Sequence, residues 1–90
     1  MLTIYYTTQF KKDYKRIKKQ HKDLAKLQSV IESLVNEELL DNRHKDHQLI
    51  GDWKKHRECH IESDWLLIYR ISQSNLYLER TGSHSELFKK

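Results

Sequence analysis

The segment Glu79-Arg80-Thr81-Gly82-Ser83-His84-Ser85-Glu86-Leu87-Phe88 sets a fixed cation, a titratable imidazole and an aromatic ring within nine residues. Upstream, His47, His60 and Asp64 add two imidazoles and a carboxylate. Together these are the groups that RNA cleavage without a metal requires. One group takes the ribose 2′-OH proton, another protonates the 5′-leaving oxygen, and a cation meets the charge growing on the phosphate. Imidazole, with an unperturbed pKa of ~6.5, serves as acid or base near neutrality. Arginine keeps its proton and grips two phosphate oxygens at once. Asp64 could orient a neighbouring histidine, and Phe88 or Trp65 could stack on a base. Taken singly, each of these residues reads as ordinary surface or packing. The combination points to a site.

A metal centre is the competing reading. His44, His47, His56 and His60 follow an H-x2-H and H-x3-H spacing that invites zinc. Cys59 is the only cysteine, however, so no cysteine pair accompanies them. His56 and His60 also fall on a strand-patterned segment, which puts them ~13 Å apart at ~3.3 Å per residue. Neither a metal nor another cofactor is expected.

These residues need elements to hold them. Leu2 to Tyr6 reads as a first strand. Thr7 or Thr8 can cap a helix of about Thr8 to Lys19, with Phe10, Tyr14 and Ile17 at helical spacing. Asp23 caps a second helix carrying Leu24, Leu27, Val30, Ile31, Leu34 and Val35, which runs to about Asn36 or Glu38. Leu39 to Asp52 is a polar loop with room for a short strand. The period then changes to two: Arg57, Cys59 and Ile61 alternate with His56, Glu58 and His60. Trp65 to Ile71 is a nearly continuous apolar strand, and Leu76, Leu78 and Arg80 alternate with Tyr77, Glu79 and Thr81. The joints at 62–64 and 72–75 suit an antiparallel meander. The expected fold is α+β: an N-terminal strand, a helical hairpin, then an antiparallel sheet with the helices on one face. The other face is left for the site. Arg80 is out of step, because simple alternation puts it with Leu76 and Leu78. A bulge, an early strand end or a partly apolar free face would each resolve this.

Ninety residues allow one small domain, 1–90, with a single modest core. The lone cysteine suits a reducing compartment, and no apolar run reaches membrane-spanning length, so a cytoplasmic protein without a membrane partner is expected. A net charge of +4 favours polyanionic partners. Lys11, Lys15, Lys18 and Lys22 lie in the lysine-rich first helix and the turn after it, and Lys54, Lys55 and Arg57 add charge in the sheet half. Both sets are candidate RNA-backbone contacts.

With the run Lys45-Asp46-His47-Gln48-Leu49-Ile50-Gly51-Asp52-Trp53, the segment Arg57 to Tyr69, and the tail from Glu79 to Phe88, the sequence resembles the YafQ branch of the RelE/ParE toxin superfamily. The resemblance spans the chain. It implies a RelE-like, microbial-ribonuclease-like fold and a toxin of a type II toxin–antitoxin system. It further implies a ribosome-dependent, metal-independent mRNA endonuclease, with mRNA in the ribosomal A site, rRNA and a cognate antitoxin as partners. The positions matching the branch's site are His47, His60, Asp64, Trp65, Arg80, His84 and Phe88. The implied roles are general acid for His84, general base for His47 or His60 with Asp64 supporting it, phosphate binding for Arg80, and packing or stacking for Phe88. Gln48 stands where relatives carry Pro, and Ser83 where Thr is common. Two other classes compete: a non-catalytic ParE-like toxin acting on gyrase, and a small basic nucleic-acid-binding module.

Overall fold

A computed structural model describes residues 1–88. The chain forms β1 (Thr3–Tyr6), α1 (Thr8–Lys19), α2 (Leu24–Val35), β2 (His47–Gln48), β3 (Arg57–Glu62), β4 (Trp65–Ser72), β5 (Asn75–Gly82) and α3 (His84–Leu87). Short 3-10 turns at Asn42–His44 and Gly51–Trp53 flank β2.

Both long helices start where a side chain satisfies a free amide. Thr7 Oγ1 accepts from the Phe10 N–H at 3.0 Å, and Asp23 Oδ1 from the Ala25 N–H at 3.1 Å. Arg16, Lys18 and Lys19 in the last turn of α1 complement its dipole. Helix α2 stops at Val35, short of the Asn36 or Glu38 end expected from its apolar stripe. There Glu37 takes a left-handed φ of 58°, which no helix continues through.

The sheet order is β1-β5-β4-β3-β2. The meander β3-β4-β5 is antiparallel, as is β2 on β3, whereas β1 runs parallel to β5. The α1–α2 hairpin packs on one sheet face over a core that includes Phe10, Ile17, Leu27, Ile31, Leu67, Tyr69, Leu76 and Leu78. The other face is not bare. Leu66, Ile68 and Leu87 form a second buried cluster there, with Leu49, Trp53 and Phe88 half-covering it. That cluster roots α3, a short helix with no apolar stripe of its own. Its start is a capping box in which Ser83 accepts from the Glu86 N–H and Glu86 accepts from the Ser83 N–H.

The phase of Arg80 is resolved by a bulge. Leu78 lies opposite Tyr69 and Arg80 opposite Ile68, so Glu79 is an extra residue in β5. The slip moves Arg80 off the helix-covered face and puts Thr81 there in its place.

Candidate active site

The bulge, the β3 alternation and the α3 cap together gather the predicted groups on the face opposite the helices. Glu58 and His60 on β3 lie opposite Ile68 and Leu66 of β4, and Arg80 of β5 also lies opposite Ile68. The cap at Ser83 sets His84 at the first position of α3. The His60 and His84 rings are 5.8 Å apart between centroids, and the Phe88 ring is 6.5 Å from His84.

His84 is fixed by Asp64. One oxygen, Asp64 Oδ1, accepts from the His84 backbone N–H at 3.1 Å and contacts His84 Nδ1 at 2.9 Å. A carboxylate only accepts, so Nδ1 carries the proton in this contact. The His84 side-chain hydrogen bond, joined by its backbone N–H, holds the Asp64 carboxyl below the usual range. Asp64 therefore partners the histidine on α3, and not either of the candidate bases.

At the other side stands a residue that the sequence reading left unassigned. Glu58 is buried, with His47 Nε2 at 3.2 Å and His60 Nε2 at 3.8 Å from the same carboxylate oxygen. His47 Nδ1 meets the Lys45 carbonyl at 2.6 Å. His60 Nε2 is too far from Glu58 for a hydrogen bond. Alternation with His60 was the signal that puts Glu58 on the same face.

Arg80 is held from behind by a fully buried carboxylate. Asp13 of α1 accepts from Arg80 Nε at 2.7 Å and Nη2 at 3.2 Å, from Arg16 Nη1 at 2.8 Å and from the Thr81 N–H at 3.2 Å. Burial alone would raise the Asp13 carboxyl; the hydrogen bonds from Arg80, Thr81 and Arg16 outweigh it and hold the group below its ordinary value. Arg80 Nη1 has no partner among the described residues and is left for an anion. Arg16 also donates to the Thr81 carbonyl at 2.8 Å and pairs with Glu86 at 3.2 Å, tying α1 to the turn before His84. Asp13 sits at i+3 from Phe10 on the apolar stripe, which was its only trace in the sequence.

The remaining candidates divide. Phe88 makes a wall with Trp53, whose ring meets it edge-on at 6.3 Å. Trp65 is 1% exposed and donates to Thr81 Oγ1 at 2.9 Å, so it belongs to the core and no base can reach it. Arg57 is engaged by Asp46 at 3.3 Å, and Asp46 also accepts from the Tyr69 hydroxyl at 2.5 Å. This triad anchors the loop that carries His47. Lys54 and Lys55 are exposed beside that loop. Lys22 lies 6.0 Å from the Trp65 ring, at the Asp64 end, and Lys18 is exposed on α1. Lys11 and Lys15 line a separate groove of about 470 Å³ between α1 and α2, with Tyr6, Phe10, Tyr14, Leu24, Leu27 and Ile31. A further groove of about 690 Å³ beside α2 shares His60 with the site, and Lys45, which contacts His47. Cys59 is buried, which pushes its thiol up and makes it inert.

Glu58, His60 and His84 also bring one ligand atom each to within 4.8 Å of one another. This donor set differs from the histidine spacing in the sequence, because it is assembled across β3 and α3. Imidazole and carboxylate in this number suit copper(II) or zinc.

The family description "bacterial toxin of type II toxin–antitoxin system, YafQ" matches residues 2–89. The chain belongs to the YafQ family. The mRNA interferase toxin YafQ of Escherichia coli (strain K12) is 45% identical over 86 residues, covering 94% of each chain. Among solved structures, a copper-bound mutant toxin from Helicobacter pylori superposes with a TM-score of 0.94 at 42% identity, over 98% of this chain and 100% of that one. YafQ in the E. coli DinJ–YafQ complex gives 0.91 at 43% identity, over 98% and 99%. The α+β fold expected from the sequence is therefore that of the YafQ toxins. No helix among the described residues of this YafQ-family chain is long and apolar enough to cross a membrane.

Proposed function

We propose that this toxin is a ribosome-dependent mRNA endonuclease that stops translation by acid–base cleavage. The observation that carries the reading is the His60–His84 pair, 5.8 Å apart, with His84 locked on Asp64 at 2.9 Å. A phosphodiester between the rings would meet a base on one side and an acid on the other. His60 Nε2 takes the 2′-OH proton, the 2′-oxygen attacks phosphorus, and His84 Nε2 gives its proton to the departing 5′-oxygen. A 2′,3′-cyclic phosphate and a 5′-hydroxyl result. Arg80, held by Asp13, stabilises the charge on the non-bridging oxygens, and His47 stands on the same face beside Glu58. These side chains supply every proton and charge the reaction needs, so cleavage proceeds without a metal.

Support also comes from kinship with an mRNA interferase toxin. The partners are mRNA in the ribosomal A site, rRNA and a cognate antitoxin, which places the protein in the cytoplasm. The groove between α1 and α2, apolar inside and edged by Lys11 and Lys15, suits an acidic amphipathic segment of that antitoxin.

The test is to map cuts on translated mRNA with wild type and with His84→Ala, each toxin stripped of bound metal with EDTA and desalted before it meets the ribosomes. Wild type should cut and His84→Ala should not, with unchanged circular dichroism, since the side chain is more than half exposed. Cuts by the variant at the wild-type rate would end the acid assignment.

A further inference from the structure

The catalytic face continues beyond the catalytic groups. On β4, Leu66, Ile68 and Arg70 alternate onto this face, and Arg70 lies about 7 Å past Ile68, two rises of ~3.3 Å. Arg70 is opposite Tyr77 of β5, which is opposite Tyr5 of β1. The three side chains stand in a row across three strands. The Arg70 guanidinium lies 4.0 Å over the Tyr77 ring, and the Tyr77 and Tyr5 rings stack at 5.2 Å and 19°. Tyr5 ends the row on an edge strand and is 47% exposed.

Tyr77 and Arg80 are three residues apart, so a regular strand would put them on opposite faces. The bulge at Glu79 brings both onto one face. The charged groups between the row and the site are paired: Glu79 contacts Arg70 at 3.5 Å and His56 at 3.4 Å. What the row offers is therefore a stiff, open aromatic surface, next to groups that bind a phosphate.

Building on the cleavage reading, we propose that Tyr5, backed by Tyr77 and Arg70, is a stacking platform for a base of the mRNA strand flanking the cleaved bond. Base–aromatic stacking suits a single strand whose sequence varies, because every base has a π-face. The mRNA is the occupant because the platform continues the face that holds the cleaved phosphate. Tyr6, also exposed, faces Phe10 at 5.9 Å and belongs to the helical groove instead.

The experiment measures cleavage of mRNA on programmed ribosomes with Tyr5→Ala and Tyr5→Trp. Tyr5→Ala should raise KM on the order of 10-fold at an unchanged kcat, and Tyr5→Trp should restore it. Binding to ribosomes with an empty A site should not change. A wild-type KM for Tyr5→Ala overturns the platform. Weakened binding to empty-A-site ribosomes assigns the row to rRNA and overturns the mRNA assignment. Loss of antitoxin inhibition at an unaltered KM makes it a protein interface and does the same. Should wild type itself leave mRNA intact, the cleavage reading fails. Binding of a single-stranded oligoribonucleotide, wild type against Tyr5→Ala, then still decides the platform.

Discussion

Asp13→Asn tests the claim that a carboxylate on the lysine-rich helix governs Arg80, the arginine proposed to bind the phosphate. Asp13 is fully buried and accepts from two guanidinium groups and one backbone amide. Replacing it by asparagine turns one acceptor into a donor that faces arginine donors. Breaking a buried pair on one side costs about 3–5 kcal/mol. Arg16 and Arg80 keep 32% and 21% of their side-chain surface in solvent, and Arg16 retains Glu86, which reduces the figure to about 2–3 kcal/mol. For a domain of this size that lowers Tm by ~10–20 °C, while a total stability of ~5–15 kcal/mol keeps the variant folded at 25 °C. Released from its fork, Arg80 no longer aims Nη1 at the phosphate, and a misplacement of ~1 Å is worth about 100-fold in rate. The assays are thermal denaturation by circular dichroism and cleavage rate per folded molecule. A folded Asp13→Asn protein that cuts at the wild-type rate would refute the positioning role; a Tm loss under a few degrees would refute the buried-charge argument. Acid titration gives an independent arm. The carboxyl is depressed below its ordinary 3.8 in the fold, so its contribution is complete above that value and is lost as pH falls through the lower folded one. The variant should lack that component of acid unfolding.

Two further outcomes follow from the geometry. Gly82→Ala puts a Cβ 2.4 Å from Arg16 Nη2 and 2.9 Å from Glu86 Oε1 at a φ of +155°, so it should cost about 1–3 kcal/mol and loosen the turn before His84. Melting and cleavage should fall together, and an unaltered Tm would contradict the close approach. Copper(II) at the Glu58–His60–His84 cluster should occupy the acid and the base at once, abolishing cleavage until a chelator is added. Undiminished cleavage with the ion bound there would show that these imidazoles are not the proton carriers.

Local pattern and tertiary register divide this protein between them. The span of α1, the Asp23 cap, the strands from Arg57, Trp65 and Leu76, and the group types needed for RNA cleavage were all readable by eye. Helical and strand periods repeat within a few residues, and a cap needs only its own turn. The short helix α3 escaped because four residues, His84–Leu87, carry no period, and its stability comes from Leu87 packing on Leu66 and Ile68. Trp65, a candidate for base stacking whose strand entrance also suited the core, is buried by the sheet.

Partnership was decided in three dimensions. Asp64 serves His84 and not a base histidine, because the turn before β4 meets the cap of α3. Glu58 stands between two imidazoles, because β2 pairs with β3. Asp13 reaches Arg80, 67 residues away, because β1 ends at Tyr6 and leaves the last half of β5 open to α1. Arg80 faces the site only because Glu79 is an extra residue opposite β4. A sequence names charges and their local spacing. Which charge neutralises which depends on strand register and on where an edge is left uncovered, and both are fixed only when the sheet closes.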